Sequence, residues 1–79
     1  MTGSAELVDY LARRLVEHED QVKVEEVEED GSLVIRLHVA PDDLGRVIGR
    51  GGRLARAMRA LVRAGGAHGD RRVVLEIVE

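Results

Sequence analysis

The chain has 79 residues, a net charge of −3, no cysteine and a single aromatic residue, Tyr10. This length allows one small domain, residues 1–79, with an aliphatic core. The lack of cysteine excludes disulfide and zinc–thiolate frameworks, and no apolar stretch approaches the roughly 20 residues of a membrane helix. The N-terminus has neither a basic start nor an apolar run, so we expect no signal peptide and a cytoplasmic location.

The first part of the chain predicts a helix and then a β-hairpin. Ser4 can cap the helix, whose end is expected near His18. Its apolar residues recur at helical spacing: Leu7, Val8, Leu11, Leu15 and Val16. Two alternating segments, residues 21–28 and 32–39, flank an Asp-Gly pair that suits a tight hairpin turn. Val27 is out of phase with the first segment, which predicts a bulge or an early strand end.

The second part predicts two helices joined by a glycine loop and a final strand. Pro41 and the two aspartates after it suit the start of a short helix that runs to about Ile48. A third helix is predicted over residues 53–64, ended by glycines. Its buried face is expected to hold Leu54, Ala57, Met58 and Leu61. "AGGAHGD" predicts a turn, and "RRVVLEIV" predicts a strand. The core face of that strand is expected to hold Val73, Leu75 and Ile77.

The predicted order of elements is therefore α-β-β-α-α-β. The connection from the second strand to the last passes through two helices, and such a crossover normally joins parallel neighbours in one sheet. The expected fold class is α+β, with a three-stranded mixed sheet covered on one face by three helices.

Positive charge is concentrated in one part of this acidic chain. Residues 1–40 carry four basic and ten acidic residues, whereas residues 46–63 carry six arginines and no acid. This asymmetry predicts a basic face on an acidic body. The arginines surround "GRVIGRGGR", residues 45–53, in which four of nine residues are glycine. We therefore expect a loop that an anion approaches closely.

Two phosphate-binding motifs do not fit this loop. A P-loop needs Gly-Lys-Ser/Thr, which occurs nowhere in the chain. The dinucleotide fingerprint needs a third glycine where Leu54 stands, and it follows a strand rather than a helix.

A third motif fits. Gly49-Arg50-Gly51-Gly52, led in by Val47-Ile48, matches the GXXG loop of KH domains, and the order of elements is similar to that of a type II KH domain. Residues 39–64 resemble more narrowly the small single-domain bacterial KH proteins of the KhpA, or YlqC-like, family. The resemblance implies RNA binding, no enzymatic activity, and a chaperone-like regulatory role. It also implies pairing as a homodimer, or as a heterodimer with a larger Jag-like (KhpB) RNA-binding protein.

The loop suits the backbone of single-stranded RNA for physical reasons. Glycines let phosphates approach, and the loop opens the N-terminus of the third helix, which attracts anions. About four nucleotides would bind in a cleft with an apolar floor. The candidate RNA-binding residues are Arg46, Val47, Ile48, Gly49, Arg50, Gly51, Gly52, Arg53 and Arg56. Arg59 and Arg63 share a face with Arg56, and either phosphate contact or simple solvation accounts for them. Gly51 stands where a larger polar residue is common, so it is expected to make the loop more mobile.

Other polar residues suggest no chemistry. The three histidines have no metal-site spacing, no Ser-His or Cys-His pair offers a nucleophile, and no cofactor is expected. Asp42 and Asp43 are interpreted as helix-start residues and Tyr10 as a partly buried helix residue. The alternative function is a protein-interaction module in which RNA binding is weak or vestigial. It is suggested by the third helix, whose apolar arc extends through Val62 and Ala55, so Val62 is expected at a dimer contact.

Overall fold

Three helices cover one face of a three-stranded sheet in the computed structural model, which describes residues 2–65 and 72–79. The helices are α1 (Gly3–Leu15), α2 (Leu44–Ile48) and α3 (Arg53–Gly65). The strands are β1 (Lys23–Glu29), β2 (Ser32–His38) and β3 (Arg72–Ile77). Short 3₁₀ turns span Glu19–Gln21, Pro41–Asp43 and Arg50–Gly52. The predicted α+β class and order of elements are confirmed.

The sheet has the order β1-β2-β3, so β2 is central and β3 is an edge strand. β1 and β2 are antiparallel, and their turn places both Asp30 (φ 49°) and Gly31 (φ 80°) in the left-handed region, as a tight two-residue hairpin requires. β2 and β3 are parallel, as predicted from the helical crossover.

The start of α1 differs from the prediction. Thr2, not Ser4, caps the helix, because the Thr2 Oγ1 accepts the N–H of Ala5 at 3.1 Å. Ser4 lies inside the helix and is buried. The N–H of Thr2 donates to the Glu26 carboxylate at 2.6 Å, so the cap also ties α1 to β1.

The faces that α1 and α3 turn to the sheet carry smaller side chains than the pattern of leucines predicted. α1 buries Ser4, Ala5, Val8 and Ala12, and α3 buries Ala55, Met58 and Val62. Small side chains let a helix lie close to the sheet, so the leucines are displaced to the flanks. Leu54, Ala57 and Leu61 are exposed and Leu7 is only half buried, so the predicted burial of the first three was wrong. The expected place of Val62 at a dimer contact was also wrong, because that side chain is 1% exposed.

Val27 causes no bulge. The pairing of β1 with β2 is continuous, and Val27 lies opposite Val34, which in turn pairs with Val74 of β3. Since side chains alternate between the faces of a strand, these three valines form a row on the face of the sheet away from the helices. The prediction of a bulge or early strand end was therefore wrong. His38 lies on this same face, as expected, and hydrogen-bonds the carboxylate of Glu25.

The turn predicted over residues 64–70 lies mostly outside the described residues, as does His68. Within residues 2–65 and 72–79, no helix is long and apolar enough to cross a membrane.

Candidate nucleic-acid interface

The glycine segment forms a tight connection between α2 and α3. α2 ends where the N–H of Gly49 donates to the carbonyl of Gly45 at 2.9 Å. The N–H of Gly52 then donates to the carbonyl of Gly49 at 3.1 Å, and α3 begins at Arg53. The N-terminus of a 13-residue helix therefore opens directly beside the loop.

Glycine suits each of the three loop positions, Gly49, Gly51 and Gly52, for its own structural reason. Gly49 adopts φ 76° and ψ 170°, a region almost restricted to glycine. A Cβ there would lie 2.9 Å from both the Cβ and the Cγ of Leu54. Gly51 lies at φ 64° and ψ 18° in open space, so its hydrogen side chain suits a left-handed turn rather than a close contact. Gly52 also has a positive φ, of 78°. The fold therefore accounts for Gly49, while the tip at Gly51 is open to a ligand.

The two apolar residues that precede the loop, Val47 and Ile48, have different environments. Val47 is fully buried and packs in the core, so its predicted place in the floor of a cleft was wrong. Consecutive helical side chains diverge by about 100°, and Ile48 is accordingly only partly buried at the end of α2. Of this pair, only Ile48 is therefore partly exposed.

Five arginines run from the loop along one flank of α3. Arg50, Arg53, Arg56, Arg59 and Arg63 are all exposed. The Arg56 Nη1 lies 3.6 Å from the position that a Cβ on Gly52 would take, so this guanidinium adjoins the loop. The Nε of Arg59 lies 3.4 Å from the carbonyl oxygen of Leu75, which places this flank on the β3 side of α3. The result is a basic track from the loop towards an edge strand.

Arg46 is held by carboxylates instead. Its guanidinium lies 2.8 Å from the Oε1 of Glu17 and 3.8 Å from the Oδ1 of Asp43. It also donates to the carbonyl of Asp42 at 3.4 Å. The structure therefore separates Arg46 from the basic track, although its side chain remains partly exposed.

Asp43 has a structural role that the sequence did not predict. It makes no cap to α2, but its carboxylate is fully buried and accepts the N–H groups of Glu17 and His18 at 3.1 and 3.0 Å. The Nδ1 of His18 lies 3.0 Å from the same carboxylate. These bonds join positions about 25 residues apart along the chain, so no local pattern could reveal them.

The surroundings of Asp43 and His18 shift the pKa values of both side chains. Burial opposes the charge of Asp43, but the hydrogen bonds from Glu17 and His18 together outweigh burial and lower its pKa. The hydrogen bond and the charge of Asp43 in turn raise the pKa of His18. The pair therefore favours a carboxylate facing an imidazolium.

Tyr10 is 57% exposed, with the Arg14 guanidinium carbon 5.4 Å from its ring centre, so its predicted partial burial was wrong. In the part of the chain that the structure describes, no group of three or more histidine or acidic side chains is arranged to hold a metal ion.

Comparison with known proteins identifies one family over nearly the whole chain. The family described as "KhpA/KhpB, KH domain" matches residues 5–77. A protein of Aquifex aeolicus named RNA-binding protein KhpA is 44% identical over 79 residues, which is all of both chains. The protein of the same name from Halalkalibacterium halodurans is 47% identical over 73 residues, which is 92% of this chain and 96% of the relative. This family is not one of enzymes, as the sequence predicted. The chain belongs to the KhpA/KhpB family of KH domains.

Proposed function

We propose that residues 1–79 act as a single KH domain that binds single-stranded RNA at the Gly49–Gly52 loop. The observation that carries the proposal is the open tip of this loop beside a helix N-terminus, within a segment of six arginines and no acid. The family relatives named RNA-binding proteins support it.

The basic track suggests how the RNA would lie. The backbone around Gly51 and the first turn of α3 would meet one phosphate, with Arg50 and Arg53 on either side. Arg56 would continue the contact along α3, and Ile48 would supply an apolar surface for a base. Arg46 would contribute less, since leaving Glu17 costs it an ion pair. A chain without Phe or Trp cannot stack bases on several rings, which favours this mode among RNA-binding modules.

The opposite flank of α3 suggests a partner. Leu54 and Leu61 are 39% and 49% exposed and lie one heptad apart, and the exposed Ala57 and Ala64 alternate with them. If two copies pair their α3 helices antiparallel, each leucine faces an alanine of the other copy. We therefore propose a homodimer through the flank that carries Leu54 and Leu61, which leaves the basic track free. Pairing with a larger KhpB-like protein would use the same surface.

A chaperone-like regulatory role depends on RNA binding and belongs to the same proposal, as does a cytoplasmic location. A protein-interaction module with vestigial RNA binding is the alternative. The two differ in salt dependence, because phosphate contacts weaken steeply with salt and an apolar contact does not.

The test is the double substitution Arg50→Asp/Gly51→Asp. It places two negative charges at the loop tip, where neither side chain packs in the core. A left-handed backbone tolerates aspartate better than most residues, so the melting temperature should change little. Affinity for a short single-stranded RNA at low salt should fall on the order of a hundredfold.

The control is Gln21→Asp/Lys23→Asp, which makes the same change of net charge at exposed positions before and at the start of β1, the edge strand opposite β3. It should reduce affinity only through the weak long-range effect of charge. Equal affinity of the parent and the loop variant would mean that the loop is only a turn and that the fold does not bind RNA here.

A further inference from the structure

Asp43 is the one charged residue that is fully buried within the described part of the chain. Its two carboxylate oxygens accept hydrogen bonds from the backbone of Glu17 and from the backbone and ring of His18. Burying a carboxylate is costly unless such bonds satisfy it. A neutral residue would avoid that cost, so the position of this carboxylate calls for an explanation.

The contacts join two segments that are about 25 residues apart in the chain. Glu17 and His18 follow the end of α1, while Asp43 immediately precedes α2. The ion pair of Arg46 with Glu17 adds a second link between the same two segments. We call these contacts of Glu17 and His18 with Asp43 and Arg46 the clasp.

α2 depends on such support. It has only five residues, far fewer than a helix needs to be stable by itself. Val47 is buried in the core and Ile48 packs against it, but both lie in the last turn of α2 and so do not fix its start. The glycine loop follows α2 directly and begins with the bond from Gly49 to Gly45. A shift at the start of α2 would therefore move the loop.

We propose that Asp43 is a positioning residue for RNA binding, whose buried carboxylate holds α2 and thereby fixes where the Gly49–Gly52 loop meets the RNA backbone. This inference rests on the proposed function. Asp43 itself touches no RNA in this scheme, and its effect passes through the clasp.

The negative charge of Asp43 and its contacts in the clasp should affect RNA affinity in opposite directions. This difference makes the proposal testable. Removing a negative charge from an RNA-binding protein should by itself strengthen binding. Loss of the clasp should weaken it, since an unfixed loop has to be ordered when RNA binds. Asp42 is the matched control, because it is the adjacent aspartate, carries the same charge and is exposed.

The experiment compares Asp43→Asn, Asp42→Asn and the parent in two measurements. Amide hydrogen exchange without RNA should become faster over residues 44–52 in Asp43→Asn, while β1 and β2 keep their protection. RNA affinity should fall roughly tenfold in Asp43→Asn and should stay equal or rise in Asp42→Asn. If Asp43→Asn does not fold, His18→Ala, which removes one ring contact, should give the same pattern with smaller changes.

Unchanged exchange over residues 44–52, or an affinity that rises in Asp43→Asn as in Asp42→Asn, would overturn the inference. Failure of the proposed function looks different, because Arg50→Asp/Gly51→Asp would then bind RNA as well as the parent. The exchange measurement needs no RNA, so it judges the clasp in either case.

Discussion

Leu61 and Val62 are consecutive residues of α3 with opposite environments: Leu61 is 49% exposed and Val62 is 1% exposed. The core side of the helix is formed by Ala55, Met58 and Val62, so the leucine lies on the flank. The proposed pairing uses this flank, on which both Leu54 and Leu61 are exposed.

The two positions should therefore respond differently to aspartate. Val62→Asp buries an unpaired charge and should destabilise the fold by at least about 3 kcal/mol, enough to unfold much of a small domain. Leu61→Asp should change stability by no more than about 0.5 kcal/mol and should convert the proposed dimer to a monomer. Thermal melts and sedimentation equilibrium measure the two effects.

Three results would contradict this scheme. A folded, monomeric Val62→Asp would mean that α3 is rotated from the orientation described. A Leu61→Asp protein with the parent's mass would remove the leucine flank as the contact. A parent that is monomeric at high micromolar concentration and captures no partner would end the proposal of pairing.

The glycines of the loop should differ in their tolerance of alanine. Gly49→Ala combines a backbone conformation nearly exclusive to glycine with a Cβ only 2.9 Å from Leu54, and should cost about 2–3 kcal/mol of unfolding free energy. Gly51→Ala meets open space and has only the left-handed backbone to accommodate, at roughly 1 kcal/mol. Urea unfolding of both variants gives the comparison. Equal costs would show that the approach of Leu54 to the loop does not constrain Gly49.

The sequence predicted the order of elements because each is defined by local features. The Asp30-Gly31 turn, the alternation in β2 and the proline at residue 41 are read from a few neighbouring residues. The crossover rule then gave the parallel pairing of β3. The glycine motif likewise located the loop, since it is contiguous.

The rotation of the helices and the role of Asp43 could not be predicted in the same way. Hydrophobicity favours leucine over alanine in a core, whereas the distance between helix and sheet favours small residues such as Ala5 and Ala55. The bulge predicted at Val27 was wrong because the partners of this residue, Val34 and Val74, lie on other strands. Each of these features depends on residues that are distant in the chain and meet only in the folded protein.

The basic track along α3 predicts that RNA affinity depends on salt concentration. Replacing Arg56, Arg59 and Arg63 with glutamine should reduce the slope of log affinity against log salt by up to about 2, for three phosphate contacts with a single strand. Arg14→Gln/Lys23→Gln, on α1 and β1, is the control and should leave the slope nearly unchanged. An unaltered slope in the triple variant would identify the flank as a solvated surface.

The clasp also makes stability depend on pH. Because Asp43 raises the pKa of His18 above its usual value of 6.5, the folded protein holds the imidazolium proton more tightly than the unfolded chain. Asp42 and Glu17 act in the same direction, while burial opposes them. The stabilisation is complete below about pH 6.5 and is lost as the pH rises through the folded pKa. The lowered pKa of Asp43 makes stability depend on pH in the acid range. The stabilisation from this carboxylate is present above about pH 3.8 and is lost on further acidification.

The measurement is the melting temperature of the parent and of His18→Gln between about pH 5.5 and about pH 8.5. The parent should lose more stability over this range, since glutamine does not titrate. His38 and its partner Glu25 are unchanged in both proteins, so this pair does not distinguish the two curves. Asp43 and Glu25 remain ionised throughout, because both pKa values are lowered. Parallel curves for the two proteins would mean that the His18 ring adds nothing to the hold on Asp43, and that the backbone N–H groups of Glu17 and His18 alone keep its carboxylate in place.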